Sequence, residues 1–327
     1  MPELQGAFSD GLISEIRKPP EISVDMKILP FQPPEAHEIL LIHRENYKDL
    51  KLERFFWQPC QQIESLEKDC FKIVYRDESV KGYAAIYALD KTHFRLNLLV
   101  APGSQRRGIG AKLLLRIERE AKAQGCRSLQ ARTLEASCGG LKFALANGFA
   151  EVHRMRGMSL RAGDFSFEKW SRLGKKLSAQ RFVVTTLARE IEAGNQPVEK
   201  LAELHKRAVE GWALIDPTVS HNTGTEYLTQ FFSSVKRPER VSIIKRREEY
   251  VGYTSAERDN SLGTAVHPDY RGRGVATYLK ACDLKLQIDN GARCFESSTA
   301  NPAMIRVNEK LGYELNGLTE IRLVKIL

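Results

Sequence analysis

The stretch Val100-Ala101-Pro102-Gly103-Ser104-Gln105-Arg106-Arg107-Gly108-Ile109-Gly110 returns further along as Val266-His267-Pro268-Asp269-Tyr270-Arg271-Gly272-Arg273-Gly274-Val275-Ala276. Each opens on Val-x-Pro and continues [Gln/Arg]-x-x-Gly-x-[Gly/Ala], and the offset is 166 (Pro102 to Pro268, Gly108 to Gly274). The same offset joins Gly125 to Gly291, and Asn147-Gly148-Phe149 answers Leu311-Gly312-Tyr313 at an offset of 164 (Gly148 to Gly312). A register held over some fifty residues is too long a period for a solenoid, so the chain carries two copies of one domain.

Working outward, each loop follows a short extended run (Phe94 to Val100, Leu262 to Val266) and opens an amphipathic helix. Ile109, Leu113, Ile117 and Ala121 recur at helical spacing in the first copy, as do Val275, Leu279, Cys282 and Leu286 in the second. Gly125 and Gly291 stand where a helix C-cap takes positive φ. A strand follows (Ser128 to Thr133; Cys294 to Ser298), then a helix ending at Gly148 or Gly312. Upstream, Pro34 to Tyr47, Val198 to Glu210 and Thr225 to Phe232 read as helices. Phe71 to Tyr75 pairs with Gly82 to Leu89, and Val241 to Lys245 with Tyr250 to Ser255, as hairpins. The unit reads β-α-α-β-β-β-α-β-α-β, an α/β arrangement with a mixed, mostly antiparallel sheet flanked by helices. The expected division is an N-terminal extension (1–25), a first domain (26–162), a polar, basic linker (163–180) and a second domain (181–327).

Composition fits this reading. The 327 residues, 42% hydrophobic and 28% charged, suit two globular domains and exclude fibrous or wholly disordered chains. No run is long and apolar enough for a membrane span, and Met1 to Pro20 lack a signal-peptide core, so a cytoplasmic protein is expected. The six cysteines contain no C-x-x-C pair, which argues against a zinc ribbon and for reduced thiols, with Cys126, Cys138, Cys282 and Cys294 structural. The net charge of +9 admits nucleic acid, an acidic membrane or a phosphorylated ligand. No aromatic-interleaved basic stripe points to nucleic acid.

A strand, a Gly-rich turn and a helix start form an anion cradle, because the first helical amides lack acceptors and the helix dipole adds positive charge. Arg106, Arg107, Arg271 and Arg273 add planar donors suited to phosphate oxygens. Neither copy reads Gly-x-Gly-x-x-Gly or carries Gly-Lys-[Ser/Thr], so neither a dinucleotide fingerprint nor a Walker loop is present.

The doubled pattern resembles the acetyl-CoA signature of the GCN5-related N-acetyltransferases. Asn301-Pro302-Ala303-Met304 followed by Asn308-Glu309-Lys310-Leu311-Gly312-Tyr313 resembles that family's closing motif. Tandem members, mycothiol-synthase-like proteins among them, share the two-copy architecture. The resemblance implies acetyl-CoA as cofactor and direct attack by an amine on its thioester. It places the pantetheine along Leu98, Leu99 and Val100, and along Ala265 and Val266. It places the diphosphate on Gln105, Arg106, Arg107, Gly108, Ile109, Gly110 and Ala111, and on Arg271, Gly272, Arg273, Gly274, Val275, Ala276 and Thr277. Asn301 and Asn308 are implied contacts of the cofactor arm.

Many family members place a proton-donating Tyr where this chain has Ala144 and Asn308. Ser137 and Ala144 replace Asn301 and Asn308 in the first copy. The second copy is therefore expected to be the catalytic half, with both loops able to bind CoA. Glu257, Asp259 and an exposed His267 are weighed as bases, Trp212 and His221 as substrate contacts, and Tyr253 and Tyr278 as core. The acceptor, a small-molecule or peptide amine, and the oligomeric state are unread. The competing reading is a CoA-binding sensor or scaffold in which one or both copies no longer transfer.

Overall fold

The computed structural model describes residues 27–48, 70–209, 224–255 and 263–327. The N-terminal extension and the candidates Trp212, His221, Glu257 and Asp259 lie outside the described residues.

The first copy contains β1 (Lys27–Pro30), α1 (Ala36–Tyr47), β2 (Cys70–Asp77), β3 (Ser79–Ala88), β4 (His93–Val100), α2 (Ile109–Ala123), β5 (Ser128–Leu134), α3 (Cys138–Ala146) and β6 (Ala150–Arg161). The crossing segment is folded: two 3-10 turns, Ala162–Asp164 and Glu168–Trp170, lead into α4 (Ser171–Ala179). The second copy contains β7 (Phe182–Thr186), α5 (Leu187–Glu192), α6 (Pro197–Val209), α7 (Thr225–Ser233), β8 (Ser242–Arg246), β9 (Glu249–Ser255), β10 (Gly263–Val266), α8 (Val275–Asp289), β11 (Cys294–Thr299), α9 (Pro302–Leu311) and β12 (Glu314–Ile326). Each hairpin turns on a residue at positive φ (Glu78 at 59°, Arg247 at 55°). Gly125, Gly291, Gly148 and Gly312 end their helices at 81°, 89°, 82° and 96°, as the cap positions require.

The chain divides into two compact units. One comprises the described residues up to 48 with 73–83 and 99–113. There β1, β2 and β3 lie in that order, β1 antiparallel to β2 from Lys27↔Arg76 to Pro30↔Ile73. Arg76 holds Glu35 and Glu38 at 2.9 and 3.1 Å, and Glu38 accepts the Val80 amide at 2.8 Å, fixing α1 to the hairpin.

The other unit holds 70–72, 84–98 and the described residues from 114 onward, with strand order β3-β4-β5-β12-β6-β11 and a separate antiparallel sheet β10-β9-β8-β7. The larger order interleaves the copies. β12 lies between β5 and β6 of the first copy, pairing Ile326↔Ser128 to Glu320↔Leu134 on one side. On its other side it pairs with β6 from Glu314↔Ser159 to Val324↔Ala150. β6 in turn pairs with β11 of the second copy, Cys294↔Arg161 to Thr299↔Arg156. The copies thus exchange their last strands.

The alternation of side chains across a strand explains what this seam buries. Met158, Leu160, Ile321 and Leu323 are each 2% exposed or less. One core gathers Leu187, Leu201, Leu204, Leu228, Phe232, Ile243 and Tyr253 beneath α6 and α7. Within α2, Ile109, Leu113, Ile117 and Ala121 are buried, as the four-residue spacing predicts. Among the described residues no helix is long and apolar enough to cross a membrane.

Candidate functional site

The two Gly-rich loops share one backbone. The 3-10 turns Pro102–Ser104 and Pro268–Tyr270 are preceded by Ala101 (φ −55°, ψ 134°) and His267 (φ −51°, ψ 134°). They are followed by Gln105 (φ −66°, ψ 160°) and Arg271 (φ −67°, ψ 158°). Next come Arg106 at φ 63° and Gly272 at φ 74°, then Gly108 at 81° and Gly274 at 85°. Proline at the head of each turn sets φ, and the positive-φ glycine swings the chain into α2 or α8.

The first position of each motif does something the sequence reading did not assign to it. Gln105 Nε2 donates to Val100 O at 3.2 Å and to Asn46 Oδ1 at 2.9 Å, while Asn46 Nδ2 itself donates to Val100 O at 3.1 Å. Arg271 Nε donates to Val266 O at 3.1 Å and its Nη2 to Ala208 O at 2.7 Å. Both side chains tie a strand end to a helix, α1 in one copy and α6 in the other. Arg271, expected on phosphate, has its Nε and Nη2 on these carbonyls and so satisfies main-chain acceptors at the strand end and in α6. Arg106 and Arg107 are exposed and make no hydrogen bond or ion pair among the described residues. The Arg273 guanidinium stands 5.6 Å from the centre of the Tyr270 ring.

Around the capping glycines the loops diverge. A β carbon at Gly108 would meet no described residue within 4 Å, whereas one at Gly274 would lie 3.0 Å from Leu173 Cδ1 and 3.3 Å from its Cδ2. Ile109 and Val275 are buried, Gly110 and Ala276 are half-buried, and Ala111 is exposed where Thr277 is buried.

The strands beside the loops leave a main-chain edge. β4 and β5 run parallel and pair only at His93↔Ser128, Phe94↔Leu129 and Arg95↔Gln130. β10 pairs with β9 on one side and ends its sheet on the other. Leu98, Leu99 and Val100 are half-buried; Ala265 and Val266 are buried.

Asn301 caps α9, its Oδ1 accepting the Ala303 amide at 2.9 Å. Asn308 is fully buried, with Nδ2 donating to Ser297 Oγ at 3.1 Å and approaching Met158 Sδ at 3.7 Å. Its Nδ2 braces α9 against β11 and β6, and its buried Oδ1 has no hydrogen-bond partner among the described residues. Its counterpart Ala144 is also buried. His267, expected as an exposed imidazole, is 7% exposed. It accepts the Asp269 amide at 3.3 Å and lies edge-on to Tyr270, since it caps the 3-10 turn. Cys126 is buried and Cys282 half-buried, but Cys294 is exposed.

Sequence reasoning missed a pair beneath α6. His205 Nδ1 and Tyr253 Oη lie 2.5 Å apart, and burial raises the Tyr253 phenol well above its usual range. The repeat itself marks the pair. His205 answers His43 at an offset of 162 and Tyr253 answers Tyr83 at 170, within Gly-Tyr in each copy. Burial lowers the His43 imidazole.

With this geometry in hand, the comparisons are direct. The Acetyltransferase (GNAT) family is matched twice, over residues 36–149 and 206–313, together more than half of the chain, and the protein belongs to that family. A GCN5-related N-acetyltransferase from Sphaerobacter thermophilus superposes with a TM-score of 0.71 at 14% identity, covering 94% of this chain and 97% of that one. A tandem GNAT protein from the clavulanic acid biosynthesis pathway, solved without acetyl-CoA, gives 0.64 at 18% identity, covering 92% and 98%. A glucosamine N-acetyltransferase region of a fungal multi-domain β-N-acetylglucosaminidase gives 0.69 at 14% identity, covering 93% of this chain and 38% of that one. Among curated proteins, none matches the sequence. The chain is therefore a tandem, two-domain member of an acetyltransferase family.

Proposed function

We propose that the protein is an N-acetyltransferase that takes its acyl group from acetyl-CoA, held at the loop Gln105–Ala111, and transfers it to an amine. The observation that supports this reading is the open cradle at Gly108. A glycine at φ 81° caps α2, no described side chain stands within 4 Å of its missing β carbon, and two exposed arginines flank it. The amides of Gly108, Ile109, Gly110 and Ala111 would hold the diphosphate, with Arg106 and Arg107 adding charge. The main chain of Leu98 and Leu99 would hold the pantetheine. The cofactor supplies the activated thioester, and an unprotonated amine attacks it without a covalent enzyme intermediate. Gln105 and Asn46 would act indirectly, by holding the strand end from which the loop departs.

A second reading is a CoA-binding module without transfer. It is favoured by Ala144 and the buried Asn308 at the positions where many family members carry the proton-donating tyrosine. Both readings expect CoA binding; only the first expects turnover. Thiol release from acetyl-CoA is measured across small amines, aminoglycosides, peptide termini and lysine peptides. Gly108→Glu is expected to lower CoA affinity at least 100-fold, because a carboxylate would fill the diphosphate position. Release with any amine, lost in Gly108→Glu, supports transfer; binding without release on every acceptor supports the module. An unchanged affinity in Gly108→Glu removes this loop from the account.

A further inference from the structure

We propose that the second Gly-rich loop is closed by the chain's own crossing segment, residues 162–179, so that each chain holds one CoA, at the first loop. The proposal rests on the reading of the first loop as the CoA site and adds the fate of its twin.

A capping glycine serves an anion by leaving room on the side where a β carbon would project. At Gly274 that room contains Leu173, whose Cδ1 lies 3.0 Å from the β-carbon position. The seating is reciprocal. Gly174 is interior to α4, where glycine weakens a helix relative to alanine. A β carbon there would meet Tyr278 Oη at 2.6 Å and Cε2 at 2.7 Å. Each helix therefore presses a side chain against the other's glycine: Leu173 on Gly274, and Tyr278 on Gly174.

The seam extends along the whole segment. Leu173, Ala276 and Tyr278 pack against the cluster that includes Leu177, Val275 and Leu279, with Leu177 1% exposed. Phe165, Phe167 and Trp170 pack against the cluster of Met158, Leu160, Ala281, Leu284, Phe295, Leu311 and Tyr313, to which α8 and α9 contribute. The Phe167 and Tyr278 rings are 6.4 Å apart. Apolar linker side chains thus pack beside the head of α8 and beside α9. A diphosphate entering there would have to expel hydrocarbon into water. The motif Arg271–Thr277 persists because the same backbone turn, helix start and carbonyl tie are needed to build the fold.

Calorimetry with CoA on the full chain tests this. The wild type is expected to bind one CoA per chain and Gly108→Glu none. Leu173→Ala is expected to gain a second, weaker site, and Leu173→Ala combined with Gly108→Glu to keep that one. Leu173→Val, a milder change, serves in the same way if Leu173→Ala melts at the assay temperature. Two CoA per wild-type chain with one of them remaining in Gly108→Glu, or no second site in either Leu173 variant, would overturn the closure. No binding by the wild type at all would instead overturn the first-loop reading on which it rests, so the two failures are told apart.

Discussion

The loops Gln105–Ala111 and Arg271–Thr277 follow nearly one backbone path and have different neighbours. In the first, the capping glycine faces no described residue; in the second it faces Leu173. The tie between strand end and helix is present in both, made by a neutral amide in one and a guanidinium in the other. What the duplication preserved is the turn that builds the fold. What it let diverge is the space beside the turn, open at Gly108 and taken by Leu173 at Gly274.

Exchanging features between the copies sharpens this contrast. The largest effect is expected from separating them. Because β12 fills the place between β5 and β6, and β6 the place between β12 and β11, residues 1–162 and 163–327 expressed apart should each lack cooperative unfolding as monomers. Mixed or co-expressed, they should recover it. Circular dichroism melts with size-exclusion chromatography check this, and a stable monomer from either half would contradict the exchange.

Removing the carbonyl ties comes next. Arg271→Ala is expected to cost about 1.5–3 kcal/mol, because it strips charge-assisted donors from Val266 O and Ala208 O. Gln105→Ala should cost about 0.5–1.5 kcal/mol, since its donor is neutral and Asn46 still reaches Val100 O. Urea titrations rank the two; equal costs would mean the ties do not differ as described.

A third contrast lies within the helices after the loops. Lys280 occupies the position of Leu114 in the first copy. Burial pushes its ammonium down to about 8 against the opposing pull of Asp283, and its Nζ lies 5.5 Å from the centre of the Tyr313 ring. Unfolded, the group titrates near its ordinary value, about 10.4. Between these values the unfolded chain binds more protons than the folded one, so this group makes stability rise with pH from about 8 to roughly 10.4. Lys280→Leu should flatten that rise and raise the melting temperature at pH 7. Melts recorded from pH 7 to 10 measure it, and an unchanged slope would place the ammonium in water.

The smallest change is Arg106→Gly, which gives the first loop the second's residue. A non-glycine at φ 63° carries left-handed strain, so the substitution should stabilise by about 0.5–1 kcal/mol in a urea titration, and a loss would show that Arg106 packs where it stands.

Much of this was readable in the residues. The repeat placed both loops and both helices, because glycine at positive φ and four-residue apolar spacing are local requirements that leave marks in sequence. The strand exchange was not readable: β6 and β12 alternate alike whichever copy they pair with, and partner choice is set by tertiary packing. The packing of Leu173 on Gly274 was hidden because Ala162–Gln180 averages polar and basic, although Phe165, Phe167, Trp170 and Leu173 are half-buried and Leu177 is buried. The bonds from Arg271 to the Val266 and Ala208 carbonyls leave no mark in the sequence, where the residue reads as a phosphate donor. Asn308 matched a closing motif by residue type, but its side chain points into the core.

The most direct measurement is amide hydrogen exchange of the full chain with and without CoA. The account predicts slowed exchange in 105–112 and none in 271–278. Slowed exchange in 271–278 with 105–112 unchanged would contradict it.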